Sequence, residues 1–300
     1  MKRIHGIVAQ SDAVAGLLEE YSVEITSRDV DSIDAAADLL APGTEVFVAN
    51  LPKEGADVLV KAASRLREAG LEPVPHIVAR NIAGQGDLED MMARLAGEAG
   101  VSRVLALGGD RDTAAGPFDA ALQLIETGVF QNNGVERVRI ACYPEGHPRI
   151  PDHALARALG EKLTAAREAG LEPTLVSQFL FDSDAVVRFA RMLRSLGIDT
   201  PLRVGVAGPA ERTKLIKYAL RCGVGASLRA LRERGDLARN IMSGETPDML
   251  LGDVAAANVT EPGLGISGVH FFTFGDPAAS IRWAEGRRAL SAGSSSGATA

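Results

Sequence analysis

The chain has 300 residues, 46% of them hydrophobic and 24% charged, with a formal net charge of -7. That supplies ample material for a large core under an ordinary soluble surface, and the acidic balance argues against nucleic-acid or anionic-membrane partners, which call for a basic patch. No apolar run approaches the ~20 residues of a membrane span, and the Met1-Lys-Arg start precedes too short an apolar run for a signal peptide. The 2 cysteines, Cys142 and Cys222, make neither a disulfide framework nor a metal knuckle, so a reduced, cytoplasmic setting is the simplest expectation.

Short apolar runs alternate with stretches of helical periodicity from end to end, the pattern of buried parallel strands and covering helices. The expected strands are Tyr21–Ile25, Glu45–Ala49, Pro73–Val78, Arg103–Leu107, Val138–Cys142, Thr174–Ser177, Arg203–Val206 and Val269–Phe274. Between them, Ala56–Ala69, Ala154–Ala169 and Asp184–Leu196 read as helices ending at Gly70, Gly170 and Gly197, glycine being the usual C-terminal stop. Arg212–Asn258 is long enough for two or three helices. Within it, Arg229–Arg239 is basic but also carries Glu233 and Asp236, and reads as a solvated helix face. Ser291–Ala300 has no core-forming residue and is expected to be a disordered tail. A (β/α)8 barrel takes ~250 residues. The prediction is therefore a single α/β domain, a (β/α)8 TIM barrel over residues 1–290 with an N-terminal extension and a tail at 291–300. A doubly wound open sheet shares the alternation, but no antiparallel edge is evident.

The residues best suited to chemistry fall at the carboxyl ends of these strands, which in a closed barrel open on one face. Glu24 sits in an apolar run with no basic sequence neighbour before Arg28. It reads either as a poorly solvated acid with a raised pKa, fit for proton donation, or as an outward carboxylate paired to a helix cation. His76 closes the third strand. Gly108-Gly109-Asp110 follows the fourth, either as a backbone approach to a flat or anionic ligand or as an ordinary strand-to-helix turn. It is neither a P-loop nor a dinucleotide fingerprint. Tyr143-Pro-Glu145-Gly-His147-Pro148 is the densest cluster, with a stacking ring, a carboxylate and an imidazole in a proline-fixed loop. Gln178 offers both a donor and an acceptor to the amide-like edge of a heterocycle. His270 and Phe272 read equally as core or site residues, and Trp283 as helix packing on the barrel. Asp110, Glu145, His147 and His76 form an alternative metal-ligand set, although no spaced ligand pair supports it and no resident metal is expected.

Taken in order, Tyr21-Ser-Val-Glu24, Val74-Pro-His76, Leu105-Ala-Leu-Gly-Gly-Asp110, Ala141-Cys-Tyr-Pro-Glu-Gly-His-Pro148, Ser177-Gln-Phe-Leu-Phe-Asp182 and His270-Phe-Phe-Thr273 resemble the methylenetetrahydrofolate reductase family. The resemblance implies a (β/α)8 barrel binding FAD at the strand ends. Such an enzyme reduces 5,10-methylenetetrahydrofolate to 5-methyltetrahydrofolate with NADH or NADPH as donor. It places Glu24 on the family's general acid, which helps open the five-membered ring to an iminium. Asp110 falls on an aspartate near flavin and pterin, and Gln178 on a pterin contact. His76, Gly109, Tyr143 and His147 match flavin-contacting positions, and Lys162 a lysine near the flavin phosphates. The chain departs from the pattern at Gly108 (usually Arg), at Leu155 or Ala156 (usually Asp), at Ala49 (usually Thr) and at Phe272 (usually Tyr). Most departures fall on the cofactor side, which leaves FAD, FMN or direct hydride transfer from the nicotinamide as readings. A metal-dependent barrel lyase or hydrolase and a non-catalytic folate- or flavin-binding protein are the rivals. The expected partner is a small folate, with no nucleic acid and no membrane, and a homo-oligomer is compatible.

Overall fold

Runs rich in Val, Ile and Phe, each ending near a turn residue, form the strands of this protein. A computed structural model of the chain describes residues 12–51, 54–222, 224 and 247–295. Its strands are β1 (Ser22–Thr26), β2 (Glu45–Ala49), β3 (Glu72–Val78), β4 (Arg103–Leu107), β5 (Arg137–Cys142), β6 (Glu172–Ser177), β7 (Leu202–Ala207) and β8 (Ile266–Phe272). They follow one another in sequence order around a closed barrel, as the alternation predicts. The helices are α1 (Val30–Leu39), α2 (Ala56–Glu68), α3 (Gln85–Ala99), α4 (Ala121–Glu126), α5 (Val129–Asn132), α6 (Asp152–Glu168), α7 (Ser183–Ser195), α8 (Arg212–Arg221), α9 (Asp248–Thr260) and α10 (Pro277–Ser295).

Local chemistry sets several boundaries. Asp29 caps α1 by accepting from the Ser32 amide at 3.1 Å, and Asp182 caps α7 by accepting from the Asp184 amide at 3.0 Å, each satisfying an otherwise orphaned first-turn donor. Gly70, Gly170 and Gly197 follow their helices as expected, all at positive φ. The last strand differs from the expectation: it ends at Phe272 rather than Phe274. Phe274 and Gly275 take φ values of 51° and 85°, and the Asp276 amide turns back to the Thr273 carbonyl at 3.0 Å. The last helix runs through Ser295, past the expected start of a structureless tail at Ser291. The N-terminal extension before residue 12, most of Arg212–Asn258 beyond α8, including Arg229–Arg239, and residues 296–300 lie outside the described residues.

The chain divides into two compact units, one of Glu24–Cys142 and Ile150–Val176, the other of the remaining residues. In the first unit, β2 to β5 pair in parallel, with Phe47 beside Val74, His76 beside Leu105, and Leu105 beside Arg139. Side chains alternate along each strand, and one face of these strands stacks in layers. Phe47, Val74, Leu105 and Val176 form a buried apolar cluster. Two residues earlier along their strands, Glu45, Arg103 and Thr174 join Arg139 in a polar layer. Glu45 is ion-paired with Arg139 and, at 2.6 Å, with Arg103, while Arg139 donates to Thr174 Oγ1 at 2.6 Å. Glu45 and Arg139 are both buried.

In the second unit, β7 and β8 pair in parallel from Leu202 beside Ile266 to Ala207 beside Phe272. Gly205 donates its amide to Ser177 Oγ at 2.8 Å. A side chain at Gly205 would collide with the Ser177 carbonyl, so this close approach requires glycine. Phe179, Ala207, Leu215 and Ala219 pack the core beside these strands. Buried His270 meets Ser22 Oγ at 2.9 Å through Nδ1. Trp283 packs edge-on against Phe271 at 5.8 Å, the helix-on-barrel contact that the sequence suggests.

Candidate active site

The first unit supplies an acid and an imidazole from different strands. Glu24 projects from β1 with its side chain 23% exposed, and His76 Nε2 of β3 lies 3.5 Å from its Oε2. His76 is buried and sits edge-on to Phe47, with ring centroids 6.2 Å apart. It stands two residues beyond Val74 on the same strand, so the pair borders the apolar layer. The environment of Glu24 is therefore not purely apolar, as its sequence neighbours suggest. A carboxylate flanked by an imidazole can exchange or share a proton with it.

Behind β1, a second carboxylate organises the loop that follows. Glu54 is almost fully buried. It accepts from Ser27 Oγ at 2.5 Å and from the Leu51 amide at 3.1 Å, and pairs with Arg28 Nε at 2.7 Å. The Ser27 amide meanwhile donates to the Ala49 carbonyl at 3.2 Å. The loops after β1 and β2 are thereby tied together three residues past Glu24. Sequence reasoning missed Glu54, because nothing in its spacing distinguishes it from a surface glutamate.

Asp110 is exposed, just beyond β4. Gly109 takes φ 104°, and a Cβ there would come within 2.5 Å of Val78 Cγ1. Glycine at 109 is thus demanded by the end of β3, whereas a Cβ at Gly108 would make only ordinary contact with the Asp119 carbonyl. Lys162, on α6, directs its ammonium to the Ala141 carbonyl at 3.4 Å. Desolvation holds its pKa below the usual lysine value, and the buried Cys142 thiol near it is pushed up to about 12, chiefly by burial.

In the second unit, the Tyr143–Pro148 loop turns through Gly146, whose amide donates to the Tyr143 carbonyl at 3.0 Å. Tyr143 and His147 pack edge to face, ring centroids 5.2 Å apart. His147 Nδ1 accepts from the Arg149 amide at 3.2 Å, so neutral His147 carries its proton on Nε2 and presents a donor there. Gln178 follows β6, its Oε1 taking the Phe179 amide at 3.0 Å. Among the described residues, no three His, Cys, Asp or Glu side chains are grouped as metal ligands. No described helix is long and apolar enough to cross a membrane.

Comparison with known proteins matches the sequence to a family. The family model for methylenetetrahydrofolate reductase matches residues 52–225. A rice protein (Oryza sativa subsp. japonica) named "Probable methylenetetrahydrofolate reductase (NADH)" is 25% identical over 165 residues, which is 50% of this chain and 27% of that protein. The 5,10-methylenetetrahydrofolate reductase of Pectobacterium carotovorum subsp. carotovorum is 28% identical over 151 residues, 50% of this chain and 48% of that protein. The matched region thus spans less than half the length of either relative. Among solved structures, the 3-dehydroquinate dehydratase of Aquifex aeolicus aligns with a TM-score of 0.47 at 10% identity, over 90% of this chain and 97% of that one. With more than half of its 300 residues matched by that family model, the chain belongs to the methylenetetrahydrofolate reductase family.

Proposed function

We propose that this protein reduces 5,10-methylenetetrahydrofolate to 5-methyltetrahydrofolate with a nicotinamide donor, in a cytoplasmic setting. The observation that carries the reading is the Glu24–His76 pair: a partly buried carboxyl group on β1 of a family barrel, with an imidazole from β3 lying 3.5 Å away. In this reading Glu24 protonates a folate ring nitrogen as the five-membered ring opens. His76 holds the carboxyl group in place and buffers its proton. The family resemblance assigns pterin contacts to Asp110, as acceptor, and to Gln178, through its carboxamide.

A bound flavin would carry hydride between nicotinamide and folate. The residues here fit its flat ring. Asn50, directly after β2, and Asn81, after β3, each bury a side-chain carbonyl oxygen that has no hydrogen-bond partner among the described residues, and such acceptors suit the N–H edge of a heterocycle. The family resemblance also assigns flavin contacts to Tyr143, His147 and the Gly109 backbone. The phosphate end fits less well, since the Lys162 ammonium is engaged by the Ala141 carbonyl. That contact favours, as a second reading, a reductase taking hydride from the nicotinamide without a flavin.

The test is Glu24→Gln. General acid catalysis is worth roughly 10²–10⁴-fold, so kcat is expected to fall by that factor, with folate affinity, measured by calorimetric titration, changing by only a few fold. Near-normal turnover would remove Glu24 from the chemistry. The visible spectrum of the purified protein distinguishes the two readings. Flavin bands bleached by NADH or NADPH and restored by methylenetetrahydrofolate support the first, and a colourless protein that still turns over supports the second.

A further inference from the structure

A single guanidinium grips the loop that carries Asp110. Arg80 lies in the 3₁₀ turn Ala79–Asn81 directly after β3. Its Nη1 donates to the carbonyl oxygens of Arg111 at 2.7 Å and Asp112 at 3.2 Å, and its Nε donates to that of Asp119 at 3.0 Å. The main chain adds two bonds at 3.0 Å: the Arg80 amide donates to the Gly108 carbonyl, and the Arg80 carbonyl accepts from the Ala115 amide. One residue thus holds the 108–119 segment at both ends and in its middle, and Asp110 lies between two of the residues it holds. The approach is close. Gly109 admits Val78, and a Cβ at Gly116 would overlap the Ala83 carbonyl.

This use of an arginine is informative. Among the described residues Arg80 forms no ion pair, and its guanidinium donors go instead to peptide oxygens of a neighbouring loop. A planar fork can span several carbonyls at fixed directions, which a point-charge ammonium cannot. The segment it crosses has no regular structure between β4 and α4. Without the fork, the 108–119 loop would lose the three side-chain bonds that Arg80 gives it.

We propose that Arg80 is a positioning residue for the reduction, acting through Asp110 by fixing the 108–119 loop. This rests on the reductase reading, and the experiment separates the two. Arg80→Ala, Arg80→Lys, Asp110→Asn and the double variant Arg80→Ala/Asp110→Asn are assayed for reduction of methylenetetrahydrofolate, with melting temperatures measured alongside. A misplacement of about 1 Å can lower a rate by ~10²-fold, so both Arg80 variants are expected to lose roughly 10- to 100-fold in kcat/KM. Lysine should fail like alanine, and guanidinium ion at tens of millimolar should restore part of the loss in Arg80→Ala but none in Asp110→Asn. If Arg80 acts through Asp110, the double variant is no worse than Asp110→Asn alone. Retention of full kcat/KM by Arg80→Ala, full recovery by Arg80→Lys, or losses that multiply in the double variant would each overturn the proposal. An Arg80→Ala protein that does not fold leaves Arg80→Lys to decide it by the same criteria. A wild-type protein inactive with folate under every donor and flavin condition defeats the reductase reading instead.

Discussion

Lys162 shows how a residue's surroundings override its sequence context. The family resemblance points it at the flavin phosphates. The structure sets its ammonium against the Ala141 carbonyl, beside the Cys142 thiol, where desolvation lowers its pKa. A base whose folded pKa lies below its unfolded value binds its proton less readily when folded, so it costs stability while charged. That cost shrinks as pH rises from the folded pKa towards the unfolded value of ~10.4. Lys162→Met should therefore melt at a higher temperature than the wild type at pH 7, with the gap closing as pH approaches 10. The raised Cys142 pKa works in the opposite sense above ~8.5, but it is present in both proteins and largely cancels in the difference. A variant that melts lower at pH 7 would show that the lysine stabilises the fold. Among the candidate residues, Glu24 stands out in the sequence because a carboxylate inside an apolar run is conspicuous, and His76 because it lies near a strand end. Their pairing is not legible there, since only the closed sheet brings β1 and β3 side chains within 3.5 Å of each other.

Elements carry their own information, and here the loops were harder to read than the strands or helices. The boundaries of α2, α6 and α7 followed from apolar periodicity and terminal glycines, both of which are local signals. The loops after β1 and β2 are different. They are tied together by Glu54, which reaches back to Ser27, Arg28 and the Leu51 amide, and no periodic pattern encodes such a reach. Glu54→Ala would strand the buried Ser27 hydroxyl that it now serves, at a cost of about 1–3 kcal/mol for an unmet buried group. Urea unfolding should show a loss of at least that size. Turnover should also fall, because the freed loop begins three residues after Glu24. A loss under 0.5 kcal/mol would mean that water replaces the carboxylate without penalty.

At the scale of the whole molecule, the alternation of apolar runs and helices was enough to predict the closed barrel and its strand order. The polar layer inside it was not legible. Glu45 and Arg103 each read as the first residue of a strand, and Arg139 as one polar residue among apolar neighbours; their meeting depends on strand register. Removing one partner of a buried ion pair leaves an uncompensated charge, typically at a cost of 3–5 kcal/mol. Glu45→Gln should lower the unfolding free energy by about that amount in urea titrations. Pairing Glu45→Leu with Arg139→Met should recover most of it, although Arg103 would then need water. If the single variant proves as stable as the wild type, the layer is solvated and contributes little.

The hydrocarbon stratum of Phe47, Val74, Leu105 and Val176 lies between that ionic layer and the Glu24–His76 pair. It bars the passage of water and protons between the two levels, yet its low dielectric screens charge only weakly. The reactivity of the acid and the ions that brace the strands are therefore electrically coupled, so a charge change in one level is expected to shift the pH dependence of the other.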